Sequence, residues 1–234
     1  MFWRCVPPPE RLNRNVSLPL KVVSINAGLP REVEWRGKAV RTSIFKSPVS
    51  GRVRVTATNI DGDRQSDLSV HGGVDKAVYA YPFEHYAFWR KELPKTDLPW
   101  GAFGENLTTE GLVEDKVHIG DRFRVGSTEL VVTQPRMPCY KLGVRFDRPQ
   151  IVKQFLRSGR TGFYFKVARE GEIGAGDSLE LIAKDESRVA VADIVALYAA
   201  DDGNQELLRR ASGLAALPES WREYFRERLW EPDA

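Results

Sequence analysis

The sequence predicts a mainly β protein with some α: a β-barrel-like or sandwich body with peripheral helices, followed by a C-terminal three-helix subdomain. Many short segments alternate apolar and polar residues at the period of half-buried strands. Turn signals recur at close spacing between them, and helical stretches are few. Beyond Lys184 the pattern changes to apolar residues at helical spacing. These observations divide the chain into an N-terminal extension over 1–19, expected to be poorly ordered, a body over 20–184 and a tail over 185–234.

The first strand is expected over Lys21–Ala27, stopped by Gly28 and Pro30. Ala39–Lys46 and Val53–Ile60 alternate as strands do, with Asp61-Gly62 as a turn. Ala77–Tyr81 reads as a strand ended by Pro82, which suits the first turn of a helix reaching Leu93. After a loop rich in Pro and Gly, Asp121–Val125 and Thr128–Thr133 form a hairpin around Gly126-Ser127. Pro149–Leu156 reads as helix, and Gly162–Arg169 and Asp177–Ala183 as strands. In the tail, Val189–Ala200, Gln205–Ala211 and Pro218–Trp230 read as helices whose apolar faces include Ile194, Leu208, Trp221 and Phe225. Such a short cluster is expected to pack on the body rather than to fold alone.

Composition removes several classes of function. The formal charge is only +3, with basic residues spread among acids, so no cationic run marks a nucleic-acid or membrane surface. No apolar stretch approaches the ~20 residues needed to span a bilayer. Met1–Pro9 is too short in its apolar part and too broken by prolines for a signal peptide, and a cytoplasmic protein is expected. The two cysteines, Cys5 and Cys139, are too few for a disulfide scaffold or a four-thiolate iron–sulfur cluster. Dinucleotide and phosphate loops, the zinc helix H-E-x-x-H and the G-x-S-x-G elbow are absent from the sequence.

Cys139 is the informative residue. Pro135 and Pro138 fix their own φ and push Gln134 and Met137 towards extended backbone, so the thiol sits on a stiff segment after a strand. Arg136 and Lys141 supply nearby positive charge, which favours the thiolate; a buried cysteine acting as a small hydrophobe is the bland alternative. His71-Gly72-Gly73-Val74-Asp75-Lys76 combines close backbone approach with titratable, accepting and cationic groups. Gly101–Leu107 places Asn106, able to donate and accept, after the tight turn that Gly104 permits. Gly159-Arg160-Thr161-Gly162 offers Arg160 and backbone N–H groups to an anion. His85 and His118 read as structural or solvated.

Taken in order, HGGVDKAVYAYP, GAFGENLTTEG, IGDRFRVG, QPRMPCYKL and GRTGFYFKV resemble the MOSC (molybdenum cofactor sulfurase C-terminal) domain proteins of the YiiM type. The resemblance covers Leu20 to Ala183, and the tail resembles the three-helix domain that follows in those proteins. It implies a β-barrel fold binding molybdenum–molybdopterin, with Cys139 as catalytic residue and protein ligand to the metal. A soft thiolate suits a metal already held by dithiolene sulfurs. Arg136, Arg160, Lys76, Gly72 and Gly73 are then candidates for the cofactor's phosphate. Gln134, Asp75, Asn106 and Thr161 are candidates for the rest of the cofactor site, and His71 for the substrate cavity as a second catalytic residue. The implied activity is reduction of small N-hydroxylated compounds, including hydroxylaminopurines. Because the chain has no flavin or pyridine-nucleotide signature and cannot build its own cluster, the electrons are expected from a separate flavin or iron–sulfur reductase. The alternatives are a sulfur carrier holding a Cys139 persulfide, or a module that binds and delivers the cofactor without turnover.

Overall fold

A computed structural model describes residues 20–66, 72–199 and 204–229. The expected extension over 1–19, Cys5 and His71 lie outside the described residues. Strands are β1 (Lys21–Ala27), β2 (Arg31–Trp35), β3 (Lys38–Thr42), β4 (Ser47–Pro48), β5 (Arg52–Thr56), β6 (Asn59–Ile60), β7 (Val78–Pro82), β8 (Leu107–Glu110), β9 (Arg122–Val125), β10 (Thr128–Pro135), β11 (Phe163–Arg169), β12 (Gly171–Gly174) and β13 (Leu179–Ala183). Helices are α1 (Glu84–Glu92), α2 (Tyr140–Phe146), α3 (Ile151–Arg157), α4 (Val191–Ala199), α5 (Gln205–Ser212) and α6 (Glu219–Arg226). No helix among the described residues is long and apolar enough to cross a membrane.

The main sheet has eight strands in the order β13-β9-β10-β11-β7-β8-β1-β4. It does not close, so the barrel expected from the sequence is corrected to a mixed α/β fold built on an open, mostly antiparallel sheet. Contact between its two sides is limited to the start of β1 and the stretch from Gly176 to the first residue of β13: the Lys21–Ser178 bridge, Val22 N donating to Asp177 O at 2.9 Å, Gly176 N to Val22 O at 2.8 Å and Leu179 N to Leu20 O at 2.9 Å. Beyond that point β13 pairs with β9 alone, and the ladder does not continue to β1. Short strands and frequent turns are common to barrels, sandwiches and open sheets, so local patterning could not decide closure.

One ladder is parallel, β7 with β8, and the crossover it requires is supplied by α1 and the loop after it. That loop contains the Gly101–Asn106 segment. The expected strand Ala39–Lys46 stops at Thr42, whose Oγ1 accepts from Ile44 N at 3.2 Å, and the chain bends there. Val53–Ile60 is likewise a hairpin of β5 and β6 rather than one strand.

Two apolar clusters hold the molecule. One joins the sheet residues Ile25, Val78, Leu130, Val132 and Phe165 to Ile194, Leu208 and Phe225 of the tail, so the tail helices share the body's core. The other is aromatic: Tyr79, Tyr81, Tyr86, Trp89, Phe103 and Phe155 pack α1, α2 and α3 beside β7. Gly162 enters this region with φ +62, and a Cβ there would lie 2.4 Å from Ala80 O and 2.9 Å from the Tyr79 and Tyr81 rings. Backbone cannot yield as a flexible side chain does. Gly162→Ala is expected to cost about 3 kcal/mol by strain and overpacking, read as a loss of denaturation midpoint.

Candidate functional site

The described residues form one polar cleft beside the aromatic cluster, with about 590 Å³ of empty space opening to solvent. Strand β10 runs into it and ends at Pro135, delivering Arg136 and then Cys139. Cys139 has extended backbone, φ −118 and ψ 175, and caps α2, with its carbonyl accepting from Leu142 N at 3.0 Å. The stiff, non-helical setting expected of the thiol is present. The helix that begins immediately after it was not expected.

Arg136 is only 6 % exposed, yet it is a full cation. Its guanidinium lies 5.0 Å from the Tyr79 ring centroid and 5.4 Å from that of Phe155, so two aromatic faces support the buried charge. Burial opposes that charge, but the neighbouring Tyr79, Tyr164 and Cys139 side chains outweigh it and raise the pKa. Burial also raises the pKa of Tyr164, against the pull of Arg136, to which it is hydrogen-bonded. One guanidinium nitrogen, Arg136 Nη1, is buried with no hydrogen-bond partner. Leaving such a donor unpaired is costly, so it marks a place for an acceptor.

Across the cleft, Lys46 Nζ stands 2.5 Å from Asp63 Oδ2. The same oxygen accepts from Asn106 Nδ2 at 2.9 Å, while Asp63 Oδ1 accepts from Gly28 N at 2.9 Å. Asn106 Oδ1 in turn accepts from Tyr79 N at 3.1 Å. The Asn106 amide is therefore engaged at both ends with protein, and it positions Asp63 and β7. Burial lowers the Lys46 pKa, with Asp63 opposing. Lys141 Nζ donates to Ser66 Oγ at 3.2 Å, and Lys76 has its pKa lowered by burial, against the effect of Asp75. Among the described residues the lining contains Lys46, Arg64, Lys76, Arg136 and Lys141 but only Asp63 as a carboxylate. A wall of that charge selects anions.

Of the residues singled out from sequence, Lys76, Gly104, Asn106, Arg136, Cys139 and Lys141 meet in this cleft. The other described ones lie elsewhere. Gln134 Oε1 accepts from Trp221 Nε1 at 2.7 Å, tying β10 to α6 of the tail. Asp75 uses its carbonyl to accept from Thr133 Oγ1 at 2.7 Å, in a short 3-10 turn over Val74–Lys76. Gly73 leads that turn at φ 99, with Gly72 before it, and neither lines the cleft. Thr161 is fully buried, its carbonyl accepting from Tyr79 OH at 2.8 Å. Arg160 packs 4.2 Å from the Phe88 ring centroid, in a separate shallow recess with His85 and Glu114. His85 is paired with Glu114 at 2.6 Å, and His118 with Asp121 at 3.3 Å, in keeping with structural roles. Lys46, Asp63 and Arg64 stand in none of the sequence motifs, and Tyr79 and Tyr164 stand within two of them without a role; sheet pairing brings the five together.

Among the described residues no group of three or more His, Cys, Asp and Glu could hold a metal ion. The molybdenum reading therefore gains no support from side-chain clustering among the described residues.

Comparison with known proteins adds to this geometry. The MOSC domain profile matches residues 67–180, and the YiiM-like, 3-alpha helix domain profile matches 189–230. The chain is 43% identical over 204 residues to the uncharacterized protein YflK of Bacillus subtilis (strain 168), covering 87% of this chain and 92% of that one. It is 36% identical over 190 residues to the protein YiiM of Escherichia coli (strain K12), covering 80% and 84%. The crystal structure of YiiM from Geobacillus stearothermophilus superposes with a TM-score of 0.77 at 35% identity, covering 91% of this chain and 100% of that one.

Proposed function

Because the chain belongs to the MOSC family, among its YiiM-like members, we propose that it is a molybdenum-cofactor-dependent oxidoreductase that reduces N-hydroxylated compounds such as hydroxylaminopurines with electrons from a separate reductase. The observation that carries this reading is the unpartnered, buried Arg136 Nη1 in a cationic cleft that also holds Cys139. The donor set fits a phosphorylated, sulfur-bearing group: cations for the phosphate and one soft sulfur for a metal that arrives with its other ligands.

Cys139 would hold the metal through its sulfur, and Arg136 and Lys141 would hold the anionic end of the cofactor. The Lys46–Asp63–Asn106 network keeps the opposite wall in place. When bound, the cofactor supplies the two-electron exchange that breaks the N–O bond. The balance is one N-hydroxyl compound, two electrons and two protons giving one amine and one water. Lys76, half-buried at the cleft, supplies one proton from its ammonium form. Its pKa is lowered, so the competent form is present at low pH and is lost as pH rises through that value. Turnover should therefore show an alkaline limb; Lys76→Arg, whose guanidinium cannot release a proton in this range, should lower the rate and remove that limb. An identical limb in the variant would take Lys76 out of this role.

The deciding experiment is metal and pterin analysis of protein from a cofactor-competent host, followed by N-reduction coupled to a reductase. Near-stoichiometric molybdenum and donor-dependent amine formation are expected. Metal-free protein carrying a Cys139 persulfide would favour sulfur transfer instead, and turnover with NADH alone would remove the separate donor.

A further inference from the structure

Phe45 lies between Ile44 and Lys46, both of which line the cleft. Two guanidiniums share its ring: Arg31 Cζ is 3.6 Å from the centroid and Arg145 Cζ is 5.3 Å from it. Neither arginine takes part in any ion pair among the described residues. Arg145 Nε is moreover buried with no hydrogen-bond partner. Burial lowers the Arg145 pKa and the positive field of Arg31 lowers it further, against weaker opposing fields from Tyr86, Glu105 and Asp97. Two like charges with no ion-paired carboxylate among the described residues are costly, and an oxyanion lying against both would relieve that cost while pairing the buried N–H.

The same helix, α2, links this pair to the thiol. Cys139 caps it, Lys141 faces the cleft, and Arg145 follows one turn after Lys141. At 1.5 Å per residue the Arg145 backbone is roughly 9 Å along the axis from Cys139. Tyr140, the residue after Cys139, is 52% exposed, with the Trp35 ring 6.3 Å away. An exposed tyrosine face of this kind is suited to stacking on a planar ring. In order along one helix the protein presents a thiol, an aromatic face and an unpaired arginine pair.

We propose that Arg31 and Arg145 form a phosphate subsite and Tyr140 a stacking face, so that the substrate is a nucleoside monophosphate carrying an N-hydroxylated base rather than the free base. The proposal rests on the reductase reading for its N-hydroxyl group, while the subsite itself rests only on the arginines and the ring.

Two measurements separate them. With cofactor-loaded protein and a competent donor, the 5′-monophosphate of 6-hydroxylaminopurine riboside should show a KM at least roughly tenfold below that of the riboside, the scale of a charge-assisted hydrogen bond. Calorimetric titration with AMP and adenosine, neither of which can be reduced, should show the same preference without turnover. Arg145→Gln, and independently Arg31→Gln on the exposed β2, should bring both ratios close to one. AMP favoured with no substrate reduced would keep the subsite and overturn the reductase reading. Equal binding of AMP and adenosine, or a preference that survives both substitutions, would overturn the subsite.

Discussion

Cys139→Ser is expected to purify as a folded protein without molybdenum and to lose more than about 100-fold of its N-reduction rate. That floor comes from the effect of partners that merely orient a metal ligand; loss of the ligand itself should exceed it. The fold should survive. Cys139 is only partly buried, its extended backbone follows Pro138, and the bond its carbonyl accepts from Leu142 N is retained by serine. The change in stability should therefore stay within about 1 kcal/mol. A hydroxyl is a harder and far less acidic ligand than a thiol, so the metal loses its soft protein donor while the cleft keeps its shape. Arg136 would also lose the thiol that helps to stabilise its buried charge. Elemental analysis and circular dichroism on one preparation test both halves. Full molybdenum with full turnover in the variant would show that Cys139 is not the metal ligand.

The thiol was legible because its constraints are local: two prolines, a neighbouring arginine and a preceding strand lie within one short segment. Its surroundings were not. Lys46 and Asp63 belong to segments joined by pairing through β1, and Tyr164 faces the cleft only because β11 registers against both β7 and β10. Loop sequence also misled on orientation. Arg160 sits in a glycine-flanked turn that suits an anion, but its side chain finds the Phe88 ring. Gln134 precedes Arg136 by two residues, yet it bonds Trp221 of the tail, a partner 87 positions away. Helix α2 was hidden by Gly143, a weak helix former whose small size is used where Pro149 and Trp35 approach it. Strand β8 was read as loop because its identity depends on β7 and β1 on either side rather than on its own four residues. The tail was easier: the helical spacing of Ile194, Leu208 and Phe225 is a property of sequence, and all three are buried in the body's core.

Glu105→Leu should be the most damaging single substitution to stability. Glu105 is fully buried, and it accepts from Gly101 N at 2.9 Å, Phe103 N at 3.1 Å, Thr108 Oγ1 at 3.0 Å and the Tyr86 hydroxyl. It holds the loop on which Gly104 packs against Ile44 of the cleft and from which Asn106 reaches Asp63. Leucine fits the apolar surroundings but strands those donors, each worth ~1–3 kcal/mol when left unpaired in the interior. With partial relaxation the loss should be about 4 kcal/mol, or on the order of 10 °C in Tm for a chain of this size. Cofactor content should fall with it, since Asn106 and Ile44 lose their support. The pH dependence has a definite sign. Burial raises the Glu105 pKa above its ordinary 4.5, against the hydrogen bonds it accepts. In the folded state the group therefore binds its proton more tightly than in the unfolded chain. Its contribution is full below pH 4.5 and declines as pH rises through the raised folded pKa. The stability gap between wild type and Glu105→Leu should accordingly narrow over that interval and then level off. A gap that widens there would mean that the ionised carboxylate is the form the fold prefers, and a variant melting within two or three degrees of wild type would remove Glu105 as the organiser of this loop.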